Sequence, residues 1–139
     1  MGISYEIDHE RRLVLARAFG TLTPQEMFAY QREAWSRPGI AGYNELVDMT
    51  GVERIEEPSA ERMRELVRLS SEMDAPSASK FAIVAPRDLE FGLGRMYEAY
   101  RGFNPRSTKQ VNVFRTTEAA LEWLSSTAPA EQSEPRPSS

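Results

Sequence analysis

The stretch from Phe81 to Phe103 constrains the fold more than any other part of the chain. Its first part, Phe81–Ala85, is a continuous apolar run that ends at Pro86. Such a run is typical of a strand buried on both faces, in a sheet that helices cover on each side. Its second part, which begins at Leu89, has helical spacing. The stretch therefore predicts a strand, a tight corner and a helix, which indicates an α/β layered fold.

The helix after the corner is predicted to have a core face and an outer face. At about 100° per residue, the stripe expected to face the core holds six apolar residues: Leu89, Leu93, Met96, Tyr97, Tyr100 and Phe103. The other side holds Arg87, Gly94, Arg95, Glu98 and Arg101. Gly92 and Gly94 lie inside the helix, where each costs about 1 kcal/mol relative to alanine. Phe91 falls among the polar residues, so it is either a single exposed aromatic or part of a contact surface. A third possibility is that it folds back under the segment Asp48–Thr50 and belongs to the core.

The composition is that of one globular domain, and it excludes several classes of function. The chain has 139 residues, of which 40% are hydrophobic and 27% charged, enough for a single buried core. A net charge of −4 argues against a general nucleic-acid binder. Without cysteine, and with His9 as the one histidine, sulfur-ligated zinc, thiolate catalysis and a Ser-His-Asp triad are not expected. No segment resembles a signal peptide or could span a bilayer, so we expect a cytoplasmic protein with no transmembrane segment.

The rest of the chain alternates strands and helices. Tyr5–Ile7 and Leu13–Phe19 predict an N-terminal β-hairpin, with Gly20 ending its second strand. The next segments predict a helix that begins at the capping box Thr23–Glu26, and a strand over Glu45–Met49 that ends at Thr50–Gly51. A helix capped by Ser59 follows, and then the strand and helix described above. The last elements are an edge strand over Gln110–Phe114 and a helix capped by Thr116 or Thr117.

This order predicts an α/β fold with a mixed, mostly parallel five-stranded sheet, an N-terminal β-hairpin and four helices. The pairing is expected to be parallel because helices separate most of the strands. We expect residues 1–124 to form the domain. Residues 125–139 are mostly Ser, Pro, Ala and Glu, and we predict that they form a disordered tail.

Three segments resemble a known family. Leu46–Val52 resembles a strand end with the pattern VDxxGV, and Ala82–Asp88 followed by Phe91–Glu98 resembles the family's central block. Val113–Arg115 and the helix over Glu118–Leu124 resemble its C-terminal part. Over residues 3 to 124, the chain resembles bacterial SpoIIAA-like proteins, of the STAS fold related to CRAL-TRIO lipid-transfer domains. Because one fold serves many roles, the resemblance implies the fold more strongly than the function.

The resemblance also raises the question of a phosphorylation switch. STAS regulators of sigma-factor pathways have a phosphorylatable serine in a DSSG-like motif at the start of the second helix. Here residues 56–60 read EEPSA, so the motif is absent. A capping role explains Ser59, and Glu56 and Glu57 disfavour a phosphate by like-charge repulsion. The absence of the motif therefore argues against the family's phosphorylation switch at Ser59.

The carboxyl ends of the strands are where an open α/β sheet binds ligands. The candidate ligand- or partner-binding residues at this edge and on the following helix are Asp48, Thr50, Arg87, Asp88, Phe91, Gly92 and Arg95. The competing and favoured interpretation is structural: Asp88 caps the helix, and Asp48 or Arg95 closes a buried ion pair. No nucleophile or metal-binding cluster accompanies these residues, so we expect no catalytic residue, no metal and no cofactor.

Two classes of function follow. The first is a non-enzymatic regulatory or protein-interaction module of the STAS type, expected to form a homodimer through the outer face of the helix at Phe91 and Arg95. The alternative is a carrier or sensor of a small apolar ligand or lipid, as the CRAL-TRIO relation implies. The aromatic residues and methionine of the same helix favour the alternative, although such a stripe is more often core than pocket. An enzyme is not expected.

Overall fold

The computed structural model describes residues 2–126 of the chain. Along these residues the elements are β1 (Ile3–Asp8), β2 (Leu13–Leu22), α1 (Pro24–Trp35), β3 (Asn44–Ile55), α2 (Ala60–Glu72), β4 (Ser79–Val84), α3 (Asp88–Phe103), β5 (Lys109–Phe114) and α4 (Thr117–Ser125). The predicted tail from 125 to 139 lies outside the described residues, except that Ser125 still belongs to α4 and Ser126 caps it.

The five strands form one mixed sheet in the order β1-β2-β3-β4-β5. The N-terminal hairpin pairs β1 with β2 antiparallel, and the other neighbouring strands are parallel. The main core cluster joins α1, α2 and α3 to one face of the sheet, and a second cluster packs α4 against the other face. The predicted α/β fold, with its hairpin and four helices, is therefore confirmed.

Side-chain caps begin three of the helices, as the sequence predicts. Thr23 and Glu26 form a capping box, in which the Glu26 N–H donates to Thr23 Oγ1 at 3.2 Å and the Thr23 N–H donates to Glu26 Oε1 at 3.0 Å. Ser59 caps α2 by accepting from the Arg62 N–H at 3.1 Å, and Thr116 caps α4. Each such cap stabilises its helix by about 1 kcal/mol.

Strands β2 and β3 are longer than the sequence predicts. Neither Gly20 nor the Thr50–Gly51 pair ends its strand, because the two strands continue to pair in parallel as far as Leu22 and Ile55. The register shifts near Gly20, whose φ of 64° favours glycine, and the pairing resumes beyond it. The two strands therefore extend beyond β4 and β5.

Helix α3 is rotated relative to the predicted stripe. Its buried residues are Glu90, Gly94, Tyr97 and Arg101, whereas three residues expected in the core are exposed: Leu89 by 47%, Met96 by 40% and Phe103 by 80%. Gly94 allows the helix to approach the sheet, since a Cβ there would lie 3.2 Å from both methyl groups of Val113. Arg101 is buried because Asp74 neutralises it. Expecting Gly94 and Arg101 on the outer side was therefore wrong.

The helices are too short or too polar to cross a lipid bilayer. Within residues 2–126, no helix has both the length and the apolar character of a membrane span.

Candidate ligand cavity and the carboxyl edge of the sheet

Of the predicted site residues, Asp88 and Phe91 are brought together by Arg115, which contacts both, whereas Asp48 lies apart from them. Asp48 alternates with Leu46, which belongs to the cluster on the α4 side of the sheet, whereas α3 covers the other side. The Asp48 Oδ1 accepts from the N–H of the exposed Thr50 at 2.9 Å, and within the described residues Asp48 forms no ion pair. The expected buried ion pair at Asp48 is therefore wrong, and this side chain makes a local hydrogen bond within β3 instead.

Arg87 and Asp88 make separate contacts at the start of α3. Arg87 occupies the N-cap position without a side-chain cap, so the prediction that Asp88 caps the helix is wrong. The Arg87 guanidinium donates to the Val52 carbonyl oxygen and to Glu90 Oε2, the latter at 3.0 Å. The exposed Asp88 instead pairs with Arg115 at 2.9 Å.

Phe91, Gly92 and Arg95 take different positions from those expected. Phe91 is half-buried against the main core cluster, and the Arg115 guanidinium carbon lies 4.0 Å above the centre of its ring. Its placement as an exposed aromatic is therefore wrong. Gly92 is exposed, and Arg95 forms a surface ion pair with Glu98 at 3.2 Å, so Arg95 does not close a buried pair either.

A cavity of about 100 Å³ lies between the sheet and the three helices α1, α2 and α3. Its walls are almost entirely apolar, and the residues of its outer part are partly exposed, so the cavity opens toward solvent. The lining residues include Met27, Met49, Ile55, Met63, Leu66, Ile83, Leu93 and Gly94, with Tyr30, Glu45 and Tyr97 at its inner end. Three flexible methionines make this wall adaptable to the shape of a ligand.

The inner end of the cavity contains a buried ion pair between Glu45 and Lys109. Lys109 Nζ lies 2.7 Å from Glu45 Oε1 and 3.3 Å from the centre of the Trp35 ring. The other carboxylate oxygen accepts from Tyr30 Oη at 2.7 Å and from Trp35 Nε1 at 3.2 Å. Burial lowers the pKa of Lys109, although the Glu45 carboxylate opposes this shift. Both Glu45 oxygens are thus used within the protein.

A second buried polar network lies beside the first. Tyr97 Oη lies 2.7 Å from Ser70 Oγ and accepts from Arg101 Nε at 3.0 Å. Arg101 also pairs with Asp74 at 2.6 Å. Burial raises the pKa of Tyr97, and burial together with the nearby Glu45 carboxylate raises the pKa of Tyr30 well above its usual value. The two tyrosines therefore remain neutral hydrogen-bonding groups in the cavity wall.

The prediction from sequence missed Glu45 and Lys109, although the sequence contains a signal for each. Lys109 alternates with Val111 and Val113, so it faces the same side of β5 as two core valines. Glu45 alternates in the same way with Val47. A charge of each sign at core-facing positions of two strands indicates a buried pair. Within residues 2–126, no group of three or more His, Cys, Asp or Glu residues could hold a metal ion.

Comparison with known proteins identifies the fold. No protein-family model and no curated protein matches the chain. A solved structure of an uncharacterized protein of the DUF3478 family from Shewanella loihica PV-4, described as having a SpoIIAA-like fold, matches with a TM-score of 0.56. The match covers 88% of this chain and 93% of that chain at 21% sequence identity.

The chain has a SpoIIAA-like fold. The resemblance seen in the sequence is confirmed at this level, and the mixed sheet and its four helices agree with it. At 21% identity the likeness shows the fold alone, and the function of a SpoIIAA-like chain must be inferred from its own residues.

Proposed function

We propose that this SpoIIAA-like chain binds a small apolar ligand in the cavity between the sheet and α1, α2 and α3, as a carrier or sensor. The observation that supports this proposal is the cavity itself, which is apolar and partly open. Protein interiors are normally packed with few voids larger than a water molecule. A partly open apolar space inside a small domain is the usual form of a ligand site.

The volume of the cavity restricts the ligand. An apolar cavity of about 150 Å³ in another protein binds benzene, and drug-sized ligands occupy roughly 300–1,000 Å³. The present cavity of about 100 Å³ therefore suits a single aromatic ring or a short alkyl chain, which the methionine side chains can accommodate by changing rotamer. A long-chain lipid would require the helices to separate.

The proposed role is binding without turnover. The titratable groups at the inner end of the cavity, Glu45 and Lys109, form an ion pair, and the Tyr30 hydroxyl donates a hydrogen bond to Glu45. A general acid or base needs a proton or lone pair that is available to the substrate. These groups already bond to one another inside the protein, so we propose that the cavity binds a ligand without changing it chemically.

Ligand-induced stabilisation tests the proposal. Toluene should raise the melting temperature of the wild-type chain, because a ligand that binds only the folded state stabilises it by about 1.4 kcal/mol at ten times its Kd. Leu93→Phe places extra carbon atoms in the cavity and should remove this effect. The matched control is Leu69→Phe, since Leu69 is half-buried on α2 but does not line the cavity.

The results that count against ligand binding are equally specific. Equal toluene responses in wild type, Leu93→Phe and Leu69→Phe would show that toluene binds elsewhere, and no response in the wild type would reject the proposal. Native mass spectrometry of the freshly purified chain can detect a natural ligand that remains bound. A co-purifying small apolar molecule would support the proposal.

A second candidate function is a regulatory module that works through protein–protein contacts. We propose it because the outer face of α3 exposes apolar residues with a repeating pattern. Leu89, Gly92, Met96, Ala99 and Phe103 recur at spacings of three and four residues, and all are exposed. A helix with apolar residues on both its buried and its outer face normally has a partner on each.

The pattern on this outer face suits a second copy of the same chain. From Leu89 to Phe103 the exposed residues alternate between large and small side chains, with Met96 at the centre. The order of sizes is therefore the same from either end of the helix. An antiparallel pair of α3 helices, offset by about one helical turn, would place Met96 opposite Gly92 and Leu89 opposite Ala99 of the second copy, and the two-fold symmetry would repeat both contacts. We therefore propose a homodimer, as the sequence suggested, but its contact is formed by these exposed residues and not by Phe91 and Arg95.

The oligomeric state tests the second candidate. Sedimentation of the wild-type chain should give a dimer, and Met96→Glu should give a folded monomer. Arg68→Glu, an equally drastic charge change at an exposed position of α2, should leave the dimer intact. A wild-type chain that remains monomeric at millimolar concentration would reject self-association through α3.

A further inference from the structure

Gln31 differs from the other polar side chains of the cavity wall in how weakly the protein holds it. It lies on α1 and lines the cavity, and the residue is only 8% exposed. Its Nε2 donates to Met73 Sδ at 3.6 Å. A thioether sulfur is a weak acceptor, so this contact holds the amide only loosely. The amide also has a second N–H and a carbonyl oxygen with which it can form hydrogen bonds.

The oxygen of this amide is open to a ligand. Among residues 2–126, no group donates a hydrogen bond to Gln31 Oε1. This oxygen is also not one of the partnerless polar atoms that are sealed inside this part of the chain, so it keeps some accessible surface. Gln31 follows Met27, another residue of the cavity wall, by four positions, which places the two side chains next to each other on α1. A ligand in contact with this part of the wall therefore meets the amide directly.

The other polar side chains that line the cavity already have partners. Both oxygens of Glu45 accept hydrogen bonds inside the protein, and one of the donors is the Tyr30 hydroxyl. That hydroxyl in turn accepts from Trp35 Nε1 at 3.2 Å. The Tyr97 hydroxyl lies within hydrogen-bond distance of two side chains. A ligand would have to displace one of these bonds to use these groups, whereas the Gln31 oxygen requires no such exchange.

We propose that the Gln31 amide forms a hydrogen bond with the ligand and so selects its chemistry. The ligand class is a neutral molecule that combines one aromatic ring or a short alkyl chain with one hydroxyl group, which donates to the amide oxygen. A charged ligand does not fit, because one neutral amide cannot compensate for taking a charge out of water. This inference rests on the proposed ligand-binding function and specifies the chemistry of the ligand.

Phenol and toluene, which have the same ring and nearly the same size, test the inference by calorimetric titration of the full chain at pH 7. Both should bind the wild type. In Gln31→Met, which keeps the length of the side chain but removes the amide, phenol should bind about 3- to 10-fold more weakly, as expected for loss of a hydrogen bond between neutral groups. The affinity for toluene should stay the same or rise, because toluene forms no hydrogen bond. Benzoate, which is charged, should not bind.

Gln25→Met is the matched control, because it makes the same chemical change at an exposed position of α1 that does not line the cavity. It should leave both affinities unchanged. Toluene binding without phenol binding, an unchanged phenol affinity in Gln31→Met, or benzoate binding as tight as that of phenol would overturn the inference and leave the ligand-binding function in place. Failure of both neutral probes to bind the wild type would instead reject that function itself.

A measurement on the wild-type chain covers the case in which Gln31→Met does not fold. The side-chain amide of Gln31 gives NMR signals from its nitrogen and its two protons. Because the two neutral probes have the same ring, a hydrogen bond to the amide is the main difference between their effects on these signals. We expect phenol to shift the amide nitrogen signal further than toluene does. Equal shifts with the two probes, or no shift with either, would overturn the inference.

Discussion

Replacing Lys109 with methionine should be among the most damaging single substitutions in this chain. The side chain is 3% exposed, and its ammonium group lies 2.7 Å from Glu45, which is buried to the same extent. Methionine keeps most of the volume but removes the charge. Glu45 then remains as a buried carboxylate with hydrogen bonds from Tyr30 and Trp35 and no cation beside it.

The magnitude follows from the cost of an uncompensated buried charge. Breaking a buried ion pair by removing one partner costs about 3–5 kcal/mol. The two hydrogen bonds that remain on Glu45 reduce this cost, so we expect a loss of about 3 kcal/mol in the free energy of unfolding. With a urea m-value of about 2 kcal/mol/M, the denaturation midpoint should fall by about 1.5 M.

Urea denaturation at pH 7 measures this loss of stability. Two further variants test whether the loss comes from the broken ion pair. The double variant Glu45→Gln/Lys109→Met removes both charges and keeps an acceptor for Tyr30, so it should recover most of the lost stability. Lys80→Met is the control, because Lys80 is only partly buried and its ammonium group contacts the carbonyl groups of Trp123 and Ser126 and the Trp123 ring, with no carboxylate beside it among the described residues. Its expected cost is about 1 kcal/mol. Equal losses for Lys109→Met and Lys80→Met would refute the buried ion pair.

Three further predictions concern pH, the glycines of α3 and the end of the chain. Burial raises the pKa of Tyr97, so as the pH rises the unfolded chain loses the phenolic proton before the folded chain does. The free energy of unfolding should therefore fall as the pH rises above about 10. In Tyr97→Phe, urea midpoints measured over the same pH range should fall less steeply. Gly92→Ala should stabilise the chain by up to about 1 kcal/mol, because a Cβ there meets no atom within 4 Å, whereas Gly94→Ala should lack this gain because Val113 is only 3.2 Å away. A chain cut after Ser126 should melt at the same temperature as the full chain, because Pro- and Ser-rich termini contribute little buried surface.

Local sequence signals predicted most of the fold. Thr23, Ser59 and Thr116 begin their helices as expected, because an N-cap depends on a few neighbouring residues and on little else. The apolar run at β4 and the alternation in β5 predicted a central strand and an edge strand, which the sheet order confirms. These signals were sufficient because each of them is read within about ten residues.

The details of the candidate site depend on contacts that are distant in the sequence. The rotation of α3 depends on the close approach of Gly94 to Val113 and on the ion pair between Arg101 and Asp74. The periodicity of the helix sequence shows neither contact. The buried pair of Glu45 and Lys109 joins residues 64 positions apart. A cavity is a volume that several elements leave between them, so no single segment predicts it.

The methionines of the chain allow the most direct measurement of ligand binding. In NMR spectra of protein labelled at the methionine methyl groups, a titration with toluene should shift the signals of the three cavity methionines: Met27, Met49 and Met63. The signal of Met96, which is exposed on the outer face of α3, should not move. Shifts confined to the cavity methionines are the predicted result. Unchanged cavity signals at saturating toluene, or a larger shift at Met96 than at these three, would contradict ligand binding in the cavity.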